Sequence, residues 1–270
     1  MKLVIEPGLA AAHYWRDLWR YRELMAFLAW RDVAVRYKQT AIGVTWALIR
    51  PALTLAVFVL FRRMVGVAQH DVPDVILVLS AVLPWQFFST ALLETSASLI
   101  GNTSLISKVY FPRLIIPIAA VATAFVDFVI TLGMLVVLMI WYGVAPAPPL
   151  LALPLFILLA ALLSLGLGLL LGALTVTYRD FRYVVPFLVQ LGLFVSPIAF
   201  STSQVPERWR TLYGLNPLVG IIDGFRWCIL GGRTPLEPAW MVSSIALTAA
   251  SLALGTWYFR RMERGFADLI

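Results

Sequence analysis

Few side chains in these 270 residues are equipped for chemistry, and their placement says more than their identity. Three charges, Arg50, Glu94 and Asp127, fall inside long apolar runs. A charge at mid-bilayer depth costs about 2.5–3.5 kcal/mol on insertion scales, so each needs a partner, a polar path or a way out to the interface. Arg50 and Glu94 lie near the same ends of two consecutive runs, at similar shallow depth. The sequence predicts that they pair across the first hairpin or snorkel to the interface. Asp127 sits mid-run with no sequence partner and is expected to face the bundle interior or a polar pathway. A proton relay would need further acids or histidines at depth; the sequence offers none, which argues against ion-coupled transport. Asp223 and Arg226, three apart, share one face of any helix that carries them.

Catalytic constellations are missing. Cys228 is the lone cysteine, which precludes an intramolecular disulfide and suits packing. His13 and His70 are isolated, so no metal site is expected. The lysines are Lys2, Lys38 and Lys108, and none closes a G-x-x-x-x-G-K-[ST] loop. No nucleophile elbow, H-E-x-x-H or dinucleotide fingerprint occurs. No loop gathers the paired carboxylates that glycosyl transfer would require. The chain is therefore expected to be no enzyme, with no catalytic residue and no cofactor. If it transports actively, a partner or a gradient supplies the energy.

The elements that hold these residues are membrane elements. The chain is 61% hydrophobic and 13% charged, against about a quarter charged in soluble domains. The expected fold class is all-α: a polytopic membrane protein with six transmembrane helices at about 42–65, 74–99, 112–142, 150–177, 183–201 and 238–259. Six spans put both ends on one side. With both termini cytosolic, fourteen Lys and Arg lie inside and six outside, in the sense of the positive-inside rule; Arg62 and Arg63 are the blemish. Nucleic-acid binding would need a basic face in water, and none is evident. The N-terminus lacks the charged and apolar regions of a signal peptide. Residues 14–38 mix Trp, Leu and Phe with many charges and suit a helix lying at the cytosolic interface.

The stretch "LYGLNPLVGIIDGFRWCILGG" is nearly apolar enough to cross but too short. Its signals are those of two short outer helices within about 205–231: Asn216 as N-cap, Pro217 at the first helical position and Gly231-Gly232 as the stop. Such a pair dips in and returns, as a gate or as a passive lid. Trp85 near an outer end fits an aromatic belt. With Phe87 and Phe88 it alternatively offers ring faces to sugars.

Four stretches, "WRDVAVRYKQTAIGVTWALIRP", "SKVYFPRLIIP", "YRDFRYVVPFLVQLGLFVSPI" and "LNPLVGIIDGFR", occur in an order and spacing that resembles the permease subunits of type-2 ABC exporters. The nearest likeness is the branch that exports O-antigen, capsule and teichoic-acid polymers. The resemblance covers nearly the whole chain and implies one transmembrane permease domain, residues 1–270. It implies a homodimer in the bacterial cytoplasmic membrane, with two copies of a separate ATPase that holds ATP and Mg, exporting a lipid-linked polysaccharide. Carried over by motif, Lys108, Tyr110, Phe111, Pro112 and Arg113 belong to a first coupling loop. Tyr178, Arg179, Asp180 and Arg182 belong to a second, and Asn216, Pro217, Asp223 and Arg226 to an outer gate. The rival readings are an ABC permease for a drug or small lipid and, less well supported, a membrane glycosyltransferase.

Overall fold

The computed structural model describes residues 10–38, 45–65, 72–198, 200, 202 and 205–266. Within them the chain is helical: α1 Ala10–Arg20, α2 Arg22–Lys38, α3 Thr45–Val65, α4 Asp74–Gly101, α5 Thr103–Lys108, α6 Ile115–Trp141, α7 Leu153–Thr177, α8 Phe181–Val195, α9 Glu207–Tyr213, α10 Pro217–Ile229 and α11 Pro238–Met262. A 3-10 turn, Pro148–Ala152, leads into α7.

Among the described residues, five helices are long and apolar enough to span a bilayer: α3, α4, α6, α7 with its leading 3-10 turn, and α11. The expected bounds agree closely, although residues 42–44 of the first span lie outside the described residues. The span expected at 183–201 is a shorter apolar helix, α8, of 15 residues. At 1.5 Å per residue it rises about 22 Å, short of a 30 Å core. It stops at Ser196 because Pro197 disfavours helical backbone in the residue before it.

The bundle is built around α4, whose apolar window is 78% buried, against 11% for α3 at the periphery. α4 packs on α6 and α7, and α7 in turn on α11. Lipid tails are as apolar as Leu, so helices here associate through close approach and polar contacts. The α7–α11 seam shows it: a Cβ on Gly166 would lie 2.5 Å from the Leu252 backbone nitrogen, and one on Gly255 would overlap the Gly166 carbonyl. Only a missing side chain on both helices permits this approach.

α10 forms as its sequence dictates. The Asn216 side chain accepts from the Leu218 N–H at 3.0 Å, Pro217 occupies the first turn, and Gly231 and Gly232 take φ of 65° and 82° to end it. Thirteen residues rise about 20 Å, so α10 does not cross. It is buried nearly all round, wedged between α4, α7 and α11. α9, by contrast, is exposed.

The reading of residues 14–38 as one interfacial helix becomes α1 and α2, joined at Tyr21. Trp15, Trp19, Phe27 and Trp30 stay exposed among arginines, while Leu28 is buried. α2 packs along α6.

Candidate functional site

The intramembrane charges form a cluster whose keystone the sequence did not advertise. Arg36, near the end of α2, donates to Glu94 on α4 at 2.6 Å and also to Asp127 on α6. The neighbouring Tyr37 hydroxyl donates to Asp127 as well. The expected pairing of Arg50 with Glu94 does not form: Glu94 is taken by Arg36, and Arg50 is exposed. Asp127 does have a partner, supplied by the interfacial helix. Burial alone would depress the Arg36 guanidinium, but the Glu94 and Asp127 charges outweigh it and hold its pKa above the ordinary value. Burial, then the bond to Asp127, raises the Tyr37 phenol. Arg36 thus stays charged and fastens α2 to two spans.

These residues line a cleft of about 1000 Å³ between α2, α3, α4 and α6, together with Trp46, Arg50, Thr54, Gln86 and Phe87. Trp85, Phe87 and Phe88 are all buried, and of the three aromatics expected to face sugars only Phe87 lines this cleft. Trp85 sits mid-helix on the most enclosed span and closes on Gly192 of α8, so it is not a belt residue.

At the end of the bundle where α4 stops and α6 begins, the first loop divides. Lys108 and Tyr110 are exposed, while Phe111 and Pro112 are buried, Phe111 in a core with Leu28, Phe259 and Phe266. Arg113 also turns inward. Its backbone N–H donates to Glu263 Oε1 at 3.0 Å, and its guanidinium donates to the Glu263 carbonyl. The Tyr14 hydroxyl donates to the same carboxylate at 3.1 Å, and Arg260 lies 4.4 Å from the Tyr14 ring centroid. Burial pushes the Glu263 carboxyl above its ordinary value, against the lowering influence of the Arg113 N–H, Tyr14 and the nearby arginines. Burial likewise raises Tyr14. One carboxylate therefore joins α1, the first loop and the end of α11.

The second segment is presented whole: Tyr178, Arg179, Asp180 and Arg182 are all exposed. Arg182 also lines a groove of about 420 Å³ with Ile100 and Gly101, where α4 ends next to α8. Arg31 of α2 donates to the Asn102 side chain at 2.8 Å at the α4–α5 junction. The second segment thus borders a groove beside the end of α4, and α2 is tied to the next residue at its edge.

At the opposite end, Asp223 and Arg226 are buried 3.7 Å apart. Arg226 also donates to the carbonyls of Ile198 at 3.0 Å and Phe200 at 3.2 Å, which ties α10 to the segment leaving α8. Arg62, the blemish in the charge bias, is buried and pairs with Asp74 at 3.1 Å. Its charge is met locally, which offsets its outside position. Asn216 and Pro217 serve as cap and first turn of α10.

Residues 23–230 match the model of a family described as "ABC-2 type transporter". The chain is 28% identical over 259 residues to the "O-antigen export system permease protein RfbA" of Myxococcus xanthus, covering 94% of this chain and 98% of that protein. A protein of the same name from Klebsiella pneumoniae is 24% identical over 252 residues, covering 92% and 95%. The "Polysialic acid transport protein KpsM" of Escherichia coli is 24% identical over 240 residues, covering 86% and 91%.

Proposed function

The chain belongs to the ABC-2 type transporter family, and from that premise we propose that it is the membrane subunit of an exporter that carries a lipid-linked polysaccharide across the bacterial cytoplasmic membrane. The observation that carries this reading is the end-to-end correspondence with permeases named for O-antigen export and polysialic acid transport. In it the chain works as a homodimer with two copies of a separate ATPase, which holds ATP and Mg, and both termini are cytosolic.

The geometry suggests how force enters. Lys108, Tyr110, Tyr178, Arg179, Asp180 and Arg182 are exposed, with Arg182 on the groove beside α4 and α8, and these touch the ATPase. Arg113 and Glu263 act behind them. A shift of the first loop pulls on Glu263, hence on the end of α11 and on α1. α11 is sealed to α7 at the glycine seam, so the two move together. At the outer end α10 is a buried wedge rather than a loose flap. The Arg226 bonds to the 198–200 segment would have to change partners when it moves.

Deleting the chain in its host tests this reading. Surface polysaccharide is expected to disappear while its lipid-linked precursor accumulates on the cytosolic face. A tagged copy is expected to co-purify an ATPase with a Walker motif in equal amount. Normal surface polysaccharide in the deletion strain would contradict the reading.

A further inference from the structure

A second groove, of about 740 Å³, lies between α1 and the last turns of α11, away from the cleft already described. Trp15 of α1 and Trp257, Arg260 and Arg261 of α11 form its mouth, and Ala249, Ala253 and Thr256 form its floor. Arg261 is exposed and Arg260 half-buried. Their guanidinium groups lie over aromatic rings, Arg260 at 4.4 Å from the Tyr14 centroid and Arg261 at 5.6 Å from that of Trp257. Among the described residues no carboxylate lines the groove, and neither arginine hydrogen-bonds or ion-pairs with another side chain. Glu263 acts on Arg260 from nearby, but its carboxylate is committed to the Arg113 N–H and the Tyr14 hydroxyl. The groove therefore carries two positive charges and no negative one.

We propose that this groove binds one anionic phospholipid, its phosphate on Arg260 and Arg261 and an acyl chain along Ala249, Ala253 and Thr256. Charge selects the headgroup. Guanidinium forks match phosphate oxygens. A zwitterionic head brings its own cation to the place where two arginines already stand, whereas an anionic head does not. The floor selects a lipid over a soluble phosphate, because below the arginines it offers an anion nothing but alanine methyls and one hydroxyl.

Depth agrees with this occupant. Arg260 and Arg261 stand in the last turn of α11, two residues and one residue before its end at Met262, which is headgroup level. Basic pockets at the ends of spans hold anionic headgroups, and Trp15 and Trp257 are aromatics of the kind that mark the same level. From Arg260 back to Ala249 the helix runs eleven residues, about 16 Å, or roughly half of a 30 Å core: the depth of one leaflet's chains. The opposite side of α11 is sealed to α7 at Gly255, so this side is the one left open to the bilayer. A lipid seated here closes the open side of the joint at which Glu263 and Arg260 hold α1 to α11.

The test counts lipid retained on the full, detergent-purified chain by native mass spectrometry, with dioleoyl phosphatidylglycerol and dioleoyl phosphatidylcholine offered in equal amounts. Wild type is expected to hold one phosphatidylglycerol per chain, preferred about thirtyfold, the scale of two arginines at an anionic surface. R260A/R261A should abolish that preference, and R260K/R261K, which keeps both charges, should keep most of it. A253F fills the floor and should lower retention of phosphatidylglycerol severalfold with both arginines in place. R208A, on exposed α9, removes a charge elsewhere and should change nothing. Equal retention of the two lipids by wild type overturns the proposal. So does a preference that survives R260A/R261A and A253F in protein eluting as wild type in size exclusion, or one that falls as far in R208A as in R260A/R261A. Excess glycerol phosphate should fail to displace the lipid; displacement would assign the groove to a soluble phosphate and overturn the lipid occupant.

Discussion

Glu263 shows how much one carboxylate can join. Its Oε1 accepts from the Arg113 N–H and the Tyr14 hydroxyl, and its own carbonyl accepts from the Arg113 guanidinium. Two consequences follow from chemistry alone. E263A strands a partly buried N–H and hydroxyl without an acceptor, which costs about 1–3 kcal/mol. E263Q keeps an acceptor in the same place and removes the charge. Because burial raises the folded-state pKa of Glu263 above its ordinary value of 4.5, the folded chain binds this proton more readily than the unfolded chain does. Its contribution to stability is therefore present at low pH and is lost as pH rises through the raised value. Thermal unfolding of detergent-solubilised protein should show that slope in wild type and a flatter profile in E263Q; identical profiles would contradict the assignment. The residue scale is also where sequence reading fell shortest. Arg36 lies 58 residues from Glu94 and 91 from Asp127. One arginine among several in an interfacial helix carries no mark of a distant carboxylate pair. Arg50, at matching depth in the adjacent helix, was the natural but mistaken partner.

At the scale of elements, local signals were read well and their surroundings were not. α10 starts at Asn216-Pro217 and stops at Gly231-Gly232, as caps and glycines demand. What no cap reveals is that α10 is enclosed by α4, α7 and α11, so that Asp223 and Arg226 are buried. The end of α8 was misplaced because hydropathy runs smoothly across Ser196-Pro197 while backbone sterics do not. Phe111 and Pro112 look like loop residues in the sequence and prove to be buried, Phe111 in a core, since a short loop between two packed spans has little room to face water. The α7–α11 seam gives the prediction proper to this scale. G255A places a methyl on the Gly166 carbonyl and should cost about 1–3 kcal/mol by overpacking. G133A on α6 meets nothing within 4 Å and should be neutral or stabilising by up to about 1 kcal/mol. Melting temperatures of the two variants in the same detergent check the contrast. Equal behaviour would mean that the seam does not hold α11 in place.

For the whole molecule, the bundle is a device with two polar ends and a polar cleft in an apolar body. One end presents exposed basic and aromatic residues on two segments; the other buries the α10 wedge behind Arg226. Composition made the membrane class and the span order legible, because those depend on sums over many residues. The tying of α2 to the spans depends on single contacts and became visible with the fold. The exposed apolar faces of α3 and α8 belong against lipid or a second copy of the chain, as the homodimer reading requires. The most direct test of the central claim is reconstitution. The chain and its co-purified ATPase are placed in sealed vesicles loaded with the lipid-linked polysaccharide in the outer leaflet, oriented with the ATPase outside. Protection of the polymer from an added glycosidase is then followed. The account predicts protection that requires ATP and both proteins and is abolished when hydrolysis is blocked. Protection without ATP, or none with the complete system, would contradict it.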